Sequence, residues 1–241
     1  MRPNQNKFLI MDTRGTLADL IEWAKSTLPG EETRAQTAIT TCRKADLFTK
    51  GGRGRHAPFT KLTDFPTAIL AVLHNGAATK SDEIVQNLWA LPLTMVRIDD
   101  PERVGPVEQE PENLAQEDAG PYLKKFNLRL ALHGATGGNN LIGVLTSLFS
   151  DLAPHKDFHR ADRINLQTCG ENVSVEIVLN GGNRITDDGW TGEGPDHSQV
   201  TLTFGDLAVS RAKAIKTTRT IWADALNDLS MMAPNLTKDR G

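Results

Sequence analysis

The sequence holds few of the residues that mark disulfide-bonded, zinc-binding or membrane-spanning proteins. Only two cysteines occur among 241 residues, Cys42 and Cys169, and neither belongs to a Cys-x-x-Cys pair. This spacing argues against a disulfide framework or a zinc finger and predicts two reduced residues in or near a core. No apolar run approaches the ~20 residues that a membrane helix needs, and the N-terminus has no apolar stretch of signal-peptide length. We therefore expect a cytoplasmic protein without a membrane partner.

Charge is divided along the chain. The formal net charge is −3, but residues 1–80 hold twelve Lys and Arg against seven Asp and Glu, whereas residues 97–120 hold two basic residues against eight acidic ones. The basic N-terminal part suits a partner that carries phosphate groups. Residues 97–121 also contain four prolines and few apolar residues, so this range cannot bury enough apolar surface to offset the entropy of ordering it. We predict a linker over residues 96–121; an acidic interaction segment, or a mimic that competes with DNA for the basic part, is the alternative.

The first third reads as helices separated by turn residues. Residues 16–28 have apolar side chains at helical spacing, with Thr16 as the N-cap and Pro29-Gly30 as the stop. A second helix is predicted over 31–48, with Ala35, Ala38, Ile39 and Cys42 on its inner stripe. Later helices are predicted over 60–76, whose inner face is Phe65, Ile69, Val72 and Leu73, and over 81–91.

A glycine-rich basic loop, TKGGRGRHAP (49–58), separates the second and third helices. Helix, tight turn, helix and basic loop is the order found in winged helix-turn-helix modules, where the second helix enters the major groove and the wing grips the adjacent backbone. At about 100° per residue, the outward face of the second helix is polar or cationic. The predicted DNA-binding residues on this helix are Thr33, Arg34, Gln36, Thr37, Thr40, Thr41, Arg43 and Lys44, and those in and around the loop are Lys50, Arg53, Arg55, His56 and Lys61.

The same stretch resembles the MerR-like and excisionase-like winged helices of phage and prophage DNA-binding proteins. The resemblance covers residues 14–92 and rests on TLADLIEW, on Ala45-Asp46-Leu47-Phe48 before an Arg-rich loop, and on Leu62-Thr63-Asp64 introducing a helix. It implies DNA contacts at Thr33, Arg34, Thr37, Lys44, Arg53 and Arg55.

The remainder of the chain mixes helix and strand. Helices are predicted over 122–132, 139–152 and 220–232, and strands over 163–168, 173–179 and 199–204. The predicted fold class is α+β, with an all-helical winged helix-turn-helix-like domain (1–95), the acidic linker (96–121) and an α+β domain with a small antiparallel sheet and flanking helices (122–241). The basic run Arg211, Lys213, Lys216 and Arg219 either contacts phosphate or lies on an edge strand, and the sequence favours the edge strand.

Catalytic patterns are weak. His155 and His159 have the i, i+4 spacing of two metal ligands on a helix, but Pro154 precedes them and no glutamate stands in the general-base position. The GATGGNN segment (134–140) lacks the Gly-Lys-Ser/Thr ending of a nucleotide loop and favours a turn with Asn139 or Asn140 as an N-cap. We predict a non-enzymatic protein without catalytic residues, metal or cofactor.

The predicted function is sequence-directed binding of double-stranded DNA by a transcriptional regulator of phage or prophage type. Two copies joined through the C-terminal domain would double the phosphate contacts, so a homodimer is expected. Two alternatives stay open: a packaging protein similar to a terminase small subunit, and an interaction module whose basic face receives a second, acidic protein.

Overall fold

The computed structural model describes residues 15–50, 60–99, 107–109, 140–152, 161–169, 172–180, 185–186, 189–190, 199–205, 216–230 and 232. The predicted helix over 122–132 and the pair His155 and His159 lie outside these residues.

Four helices occupy the N-terminal part at the predicted places. They are α1 (Leu17–Thr27), α2 (Glu32–Lys44), α3 (Asp64–Leu73) and α4 (Ser81–Trp89), the last preceded by a 3₁₀ turn at Ala78–Lys80. Thr16 is the N-cap of α1, as predicted, and its backbone N–H donates to the Asp19 carboxylate at 2.6 Å. The hydrogen bonds that begin α1 are therefore set by residues of its own first turn.

The end of α2 is a left-handed turn formed by an aspartate. Asp46 has a φ of +63°, its N–H donates to the Arg43 carbonyl at 3.1 Å, and the N–H of Leu47 donates to the Cys42 carbonyl at 3.0 Å. These two bonds are the Schellman pattern, in which glycine is the usual left-handed residue. The turn sends the chain away from α2 towards the basic loop.

Helix α3 is buried on every side, which corrects the prediction of a single inner face. All ten of its residues, Asp64–Leu73, are buried. α3 packs against α1, α2 and α4, and also against strand β8 (Lys216–Trp222) and a later helix, α5 (Leu141–Leu152). The ring centroids of Phe65 on α3 and Phe149 on α5 lie 5.5 Å apart in a stacked arrangement. A helix that packs against one layer needs only one apolar face, but α3 packs both against the other N-terminal helices and against β8 and α5, so all of its faces are buried.

The sheet has six strands in the order β2-β1-β7-β4-β3-β8, and every neighbouring pair is antiparallel. Its strands are β1 (Leu93–Asp99), β2 (Val107–Gln109), β3 (Ala161–Cys169), β4 (Asn172–Asn180), β7 (Gln199–Gly205) and β8 (Lys216–Trp222), and a separate two-stranded hairpin is formed by β5 (Ile185–Thr186) and β6 (Gly189–Trp190). The three strands predicted from alternation are β3, β4 and β7. Strand β2 and the end of β1 fall within the range 96–121 that the sequence marks as a linker.

Strand β8 replaces the start of the predicted final helix. Thr220 to Trp222 pair with β3, and the helix α6 begins only at Ala223 (Ala223–Ser230). Thr217, Thr218, Thr220 and Ile221 are β-branched, and such side chains favour a strand wherever a partner strand is available. β8 is an edge strand, the placement that the sequence favours for Lys216 and Arg219.

The buried apolar side chains of helices and strands form one continuous cluster. The described chain is thus mixed helix and sheet, with the helical part N-terminal and the antiparallel sheet C-terminal, as predicted at that level. Cys42 and Cys169 are both free, and burial raises the pKa of the Cys42 thiol to about 12. No helix in the described ranges is long and apolar enough to cross a bilayer.

Candidate nucleic-acid interface

Helix α2 presents one apolar and one polar face. Ala35, Ala38, Ile39 and Cys42 are completely buried against the rest of the protein. Every other side chain of α2 is polar or charged, and Thr33, Gln36, Arg43 and Lys44 are exposed while Thr37, Thr40 and Thr41 are partly exposed. The outward face of α2 therefore needs no further protein layer and can accept a polar partner.

The hydroxyl groups on this face differ in what they can offer. Thr37 Oγ1 donates to the Thr33 carbonyl at 2.8 Å and Thr40 Oγ1 donates to the Gln36 carbonyl at 2.7 Å. Because their protons are engaged, these two side chains can only accept a hydrogen bond from a partner. The strongest outward donors of α2 are the side chains of Gln36, Arg43 and Lys44, and the two cations form no ion pair within the described part of the chain.

Arg34 lies on the same helix, but its guanidinium is turned towards the end of α3. Its Nη2 donates to the His74 carbonyl and, at 3.4 Å, to the Gly76 carbonyl, and its Nη1 lies 3.6 Å from the Glu31 carboxylate. Only 21% of the side chain is exposed. The sequence placed Arg34 beside the outward residues because a helical wheel does not show that a long side chain can reach back to a neighbouring helix.

The two ends of the predicted wing are held together by one buried carboxylate. Asp64 Oδ1 accepts a hydrogen bond from the backbone N–H of Thr49 at 3.0 Å, and Oδ2 accepts one from the backbone N–H of Lys61 at 2.8 Å. The loop thus leaves and returns at the first turn of α3. The predicted contact residues Arg53, Arg55 and His56 lie outside the described residues, between these two ends.

Four exposed cations, Arg43, Lys44, Lys50 and Lys61, lie at the C-terminal end of α2 and the two ends of the loop; we call them the basic end. Lys50 Nζ pairs with the Asp46 carboxylate at 2.7 Å, where both side chains are largely exposed. The other three form no ion pair among the described residues. Cations near a helix C-terminus are stabilised by the partial negative charge of the unpaired carbonyls. The basic end is compatible with the helix and available to anions.

A second polar cluster lies at the opposite end of α2 and joins the helices to the sheet. It consists of Glu31, Arg34, His74, Ser81 and Arg219, and we call it the joint. The Arg219 guanidinium binds both oxygens of the Glu31 carboxylate, and its Nη1 donates to the His74 carbonyl at 3.2 Å. This hydrogen bonding lowers the pKa of the Glu31 carboxyl, and charge attraction from Arg219 and Arg34 acts in the same direction. The sequence carried no signal for this cluster, because Glu31 and Arg219 are separated by 188 positions.

The histidine of the joint is buried and neutral. Ser81 Oγ donates its proton to the Ala78 carbonyl at 2.8 Å, so the His74 ring must donate from Nε2 to Ser81 Oγ across 2.7 Å. His74 Nδ1 then carries no proton and faces Arg34 Nη2 at 3.5 Å. Burial, followed by repulsion from Arg34 and Arg219, lowers the pKa of His74 to about 4. A neutral buried imidazole with both nitrogens engaged is a structural group in this arrangement.

The sequence also bears on the start of α5 and on possible metal ligands. Asn140 Oδ1 accepts a hydrogen bond from the Gly143 N–H at 3.0 Å, so Asn140 serves as the cap predicted for α5. No group of three or more His, Cys, Asp or Glu side chains suited to a metal ion occurs within the ranges that the structure describes.

Comparisons with family models, with curated proteins and with solved structures find no match for this chain.

Proposed function

We propose that this protein binds double-stranded DNA with the outward face of α2 and the basic end. The observation that carries the proposal is that α2 has no exposed apolar side chain and ends in exposed cations. Lys and Arg side chains supply the phosphate contacts that dominate affinity for DNA, and an α-helix of this kind fits the major groove.

The charge distribution along α2 orients it on the DNA. Glu31 and Glu32 lie at the N-terminal end, and Arg43 and Lys44 lie in the last turn. The Glu31 carboxylate is paired with Arg219, whereas Arg43 and Lys44 form no ion pair among the described residues and attract phosphate, so the C-terminal half of α2 approaches the duplex most closely. Among the outward residues this favours Thr40, Arg43 and Lys44, which lie in that half, over Thr33, and leaves Gln36 nearer the middle of the helix. Gln36 can pair with an adenine edge and Arg43 with a guanine edge.

The biological role that we propose is a transcriptional regulator of phage or prophage type that acts as a dimer. A single short helix and a small basic surface make few phosphate contacts, so a second copy on a symmetric site would supply the missing affinity. The loop cations Arg53 and Arg55 belong to this proposal as predicted wing contacts.

The contact assignment is tested by salt-dependent binding to a labelled duplex. The slope of log K against log salt is negative, and each lost phosphate contact reduces its magnitude by roughly 0.9. Lys44→Gln and Arg43→Gln should therefore weaken binding and flatten the slope. The matched control is Lys25→Gln on α1, whose ammonium pairs with Glu22 at 2.8 Å. An equal effect of Lys25→Gln would mean that general charge, not this surface, drives binding.

Recovery of bound genomic DNA tests the role. We expect wild type to enrich discrete sites near promoters and Arg53→Ala/Arg55→Ala to lose them. Enrichment at one packaging site instead would support a DNA-recruiting packaging protein, and no enrichment by wild type would contradict both roles.

A further inference from the structure

The joint connects the first turn of α2 to the edge strand of the sheet. Glu31 directly precedes α2, and its Oε2 lies 2.5 Å from Nη2 of Arg219 on β8. The pair is partly shielded, with 22% of the Arg219 side chain and 41% of the Glu31 side chain exposed. Both carboxylate oxygens are contacted by the same nitrogen, Nη2, while Nη1 donates to the His74 carbonyl, so the guanidinium is held from two sides by charge-assisted and neutral hydrogen bonds.

Two guanidinium groups meet at the end of α3. Arg219 from β8 and Arg34 from α2 both donate to the carbonyl oxygen of His74, and Glu31 supplies the negative charge between them. One contact thus ties together a strand and the ends of two helices.

A neighbouring contact fixes the end of α3 to the sheet independently. Asn75 Nδ2 donates to Thr168 Oγ1 at 3.0 Å and to Thr217 Oγ1 at 2.7 Å. The end of α3 is therefore held against β3 and β8. Arg34 binds the end of α3 and Glu31 binds Arg219 on β8, so these two residues fix the N-terminal end of α2 relative to α3 and the sheet.

The apolar side chains of α2 pack it against α1, α3 and α4, and the polar contacts of the joint lie at its N-terminal end. Two of its four buried apolar side chains, Ala35 and Ala38, are methyl groups, which interlock little with their surroundings. Polar contacts at the end of the helix therefore add to the apolar packing of Ile39 and Cys42 in setting its rotation and tilt. At the N-terminal end, the joint supplies them.

We propose that Arg219 is a positioning residue for the DNA-binding surface: through Glu31 it sets the angle at which α2 presents its outward face. This inference rests on the proposed function. It assigns Arg219 a role at a distance from DNA, and it makes the edge strand β8 part of the machinery that orients α2.

The sharpest test is Glu31→Gln beside Glu32→Gln, because both variants remove one negative charge from adjacent positions. Electrostatics alone predicts that both bind DNA more tightly than wild type. Positioning predicts the opposite for Glu31→Gln, with affinity roughly five-fold lower, as for other residues that modulate a distant site. Glu32→Gln should bind as tightly as wild type or more tightly. Binding is compared at a temperature where the circular dichroism of each variant matches that of wild type.

Arg219→Gln provides the second measurement. It should weaken binding to a similar extent while leaving the slope of log K against log salt at the wild-type value, because Arg219 contacts no phosphate. The double variant Glu31→Gln/Arg219→Gln should be no weaker than either single variant, since the two residues act through one contact. If Arg219→Gln does not fold, the partly exposed Glu31 position still decides the question.

Two results would overturn the inference alone. One is wild-type or tighter binding by Glu31→Gln, and the other is a flatter salt slope in Arg219→Gln, which would make Arg219 a phosphate contact. Failure of the wild-type protein itself to bind DNA would remove the proposed function and this inference with it.

Discussion

Acidification should destabilise the protein through His74, and the structure indicates by how much. The ring is 1% exposed, its Nε2–H is used by Ser81, and its Nδ1 faces the Arg34 guanidinium. A proton on Nδ1 would place an imidazolium in a buried site beside a fixed positive charge. The native state therefore resists protonation, whereas His74 of the unfolded chain accepts a proton at its ordinary pKa.

The size of the effect follows from the two pKa values. The pKa of His74 falls from 6.5 to about 4 on folding, a difference of about 2.5 units. At 1.36 kcal/mol per unit, this amounts to about 3 kcal/mol of stability. Above pH 6.5 neither state binds the proton and the contribution is complete. As the pH falls below 6.5 the unfolded state takes up the proton first, so the contribution declines until the native pKa is reached near 4.

Urea unfolding over this pH window, with His74→Gln beside wild type, measures the contribution. The glutamine amide can donate to Ser81 Oγ as the ring does, but it does not titrate. Wild type should lose about 3 kcal/mol more than His74→Gln between neutral pH and pH 4, because the carboxylates titrate alike in both proteins. Parallel stability curves for the two proteins, or an NMR titration of the native His74 ring near its ordinary pKa, would refute the reasoning.

Three further predictions concern stability and reactivity. Asp46→Gly should raise the free energy of unfolding by about 0.5–1 kcal/mol, because residue 46 has a φ of +63° that glycine adopts without strain. Thermal denaturation measures the change, and a lower Tm for the variant would count against this reasoning. Asp64→Ala should lower the free energy of unfolding by about 2–4 kcal/mol, since it leaves the backbone N–H groups of Thr49 and Lys61 without their carboxylate. Asp64→Asn should lower it less, because one acceptor oxygen remains. Urea denaturation measures both variants, and equal losses would contradict this account. In the folded protein, Cys42 should react with a thiol reagent far more slowly than Cys169, because the Cys42 thiol is buried and its pKa is raised to about 12. Mass spectrometry after brief labelling distinguishes the two cysteines, and equal labelling would show that Cys42 is accessible.

Local chemistry makes part of this structure readable from the sequence. Helix α1 begins at Thr16, whose backbone N–H binds the Asp19 carboxylate, and α5 begins at Asn140, whose side-chain oxygen binds the Gly143 N–H, because a side-chain oxygen can accept a hydrogen bond from a free backbone N–H within the same turn. The inner stripe of α2 follows from a period of 3.6 residues, and β3, β4 and β7 follow from a period of two. The polar outward face of α2 is readable for the same reason.

The remaining features depend on which distant segments meet. The burial of α3 on every side requires the sheet and α5 beyond it, and no periodicity within α3 indicates that second layer. Thr220 to Trp222 extend a strand because β3 is available as a partner, although the same residues continue a helical pattern. Arg34 and Arg219 meet at the His74 carbonyl although one comes from a helix near the start of the chain and the other from the last strand of the sheet. Helix periodicity and capping act over a few residues and are written in the sequence, whereas the direction of a long charged side chain is decided by the partners that the folded chain brings within its reach.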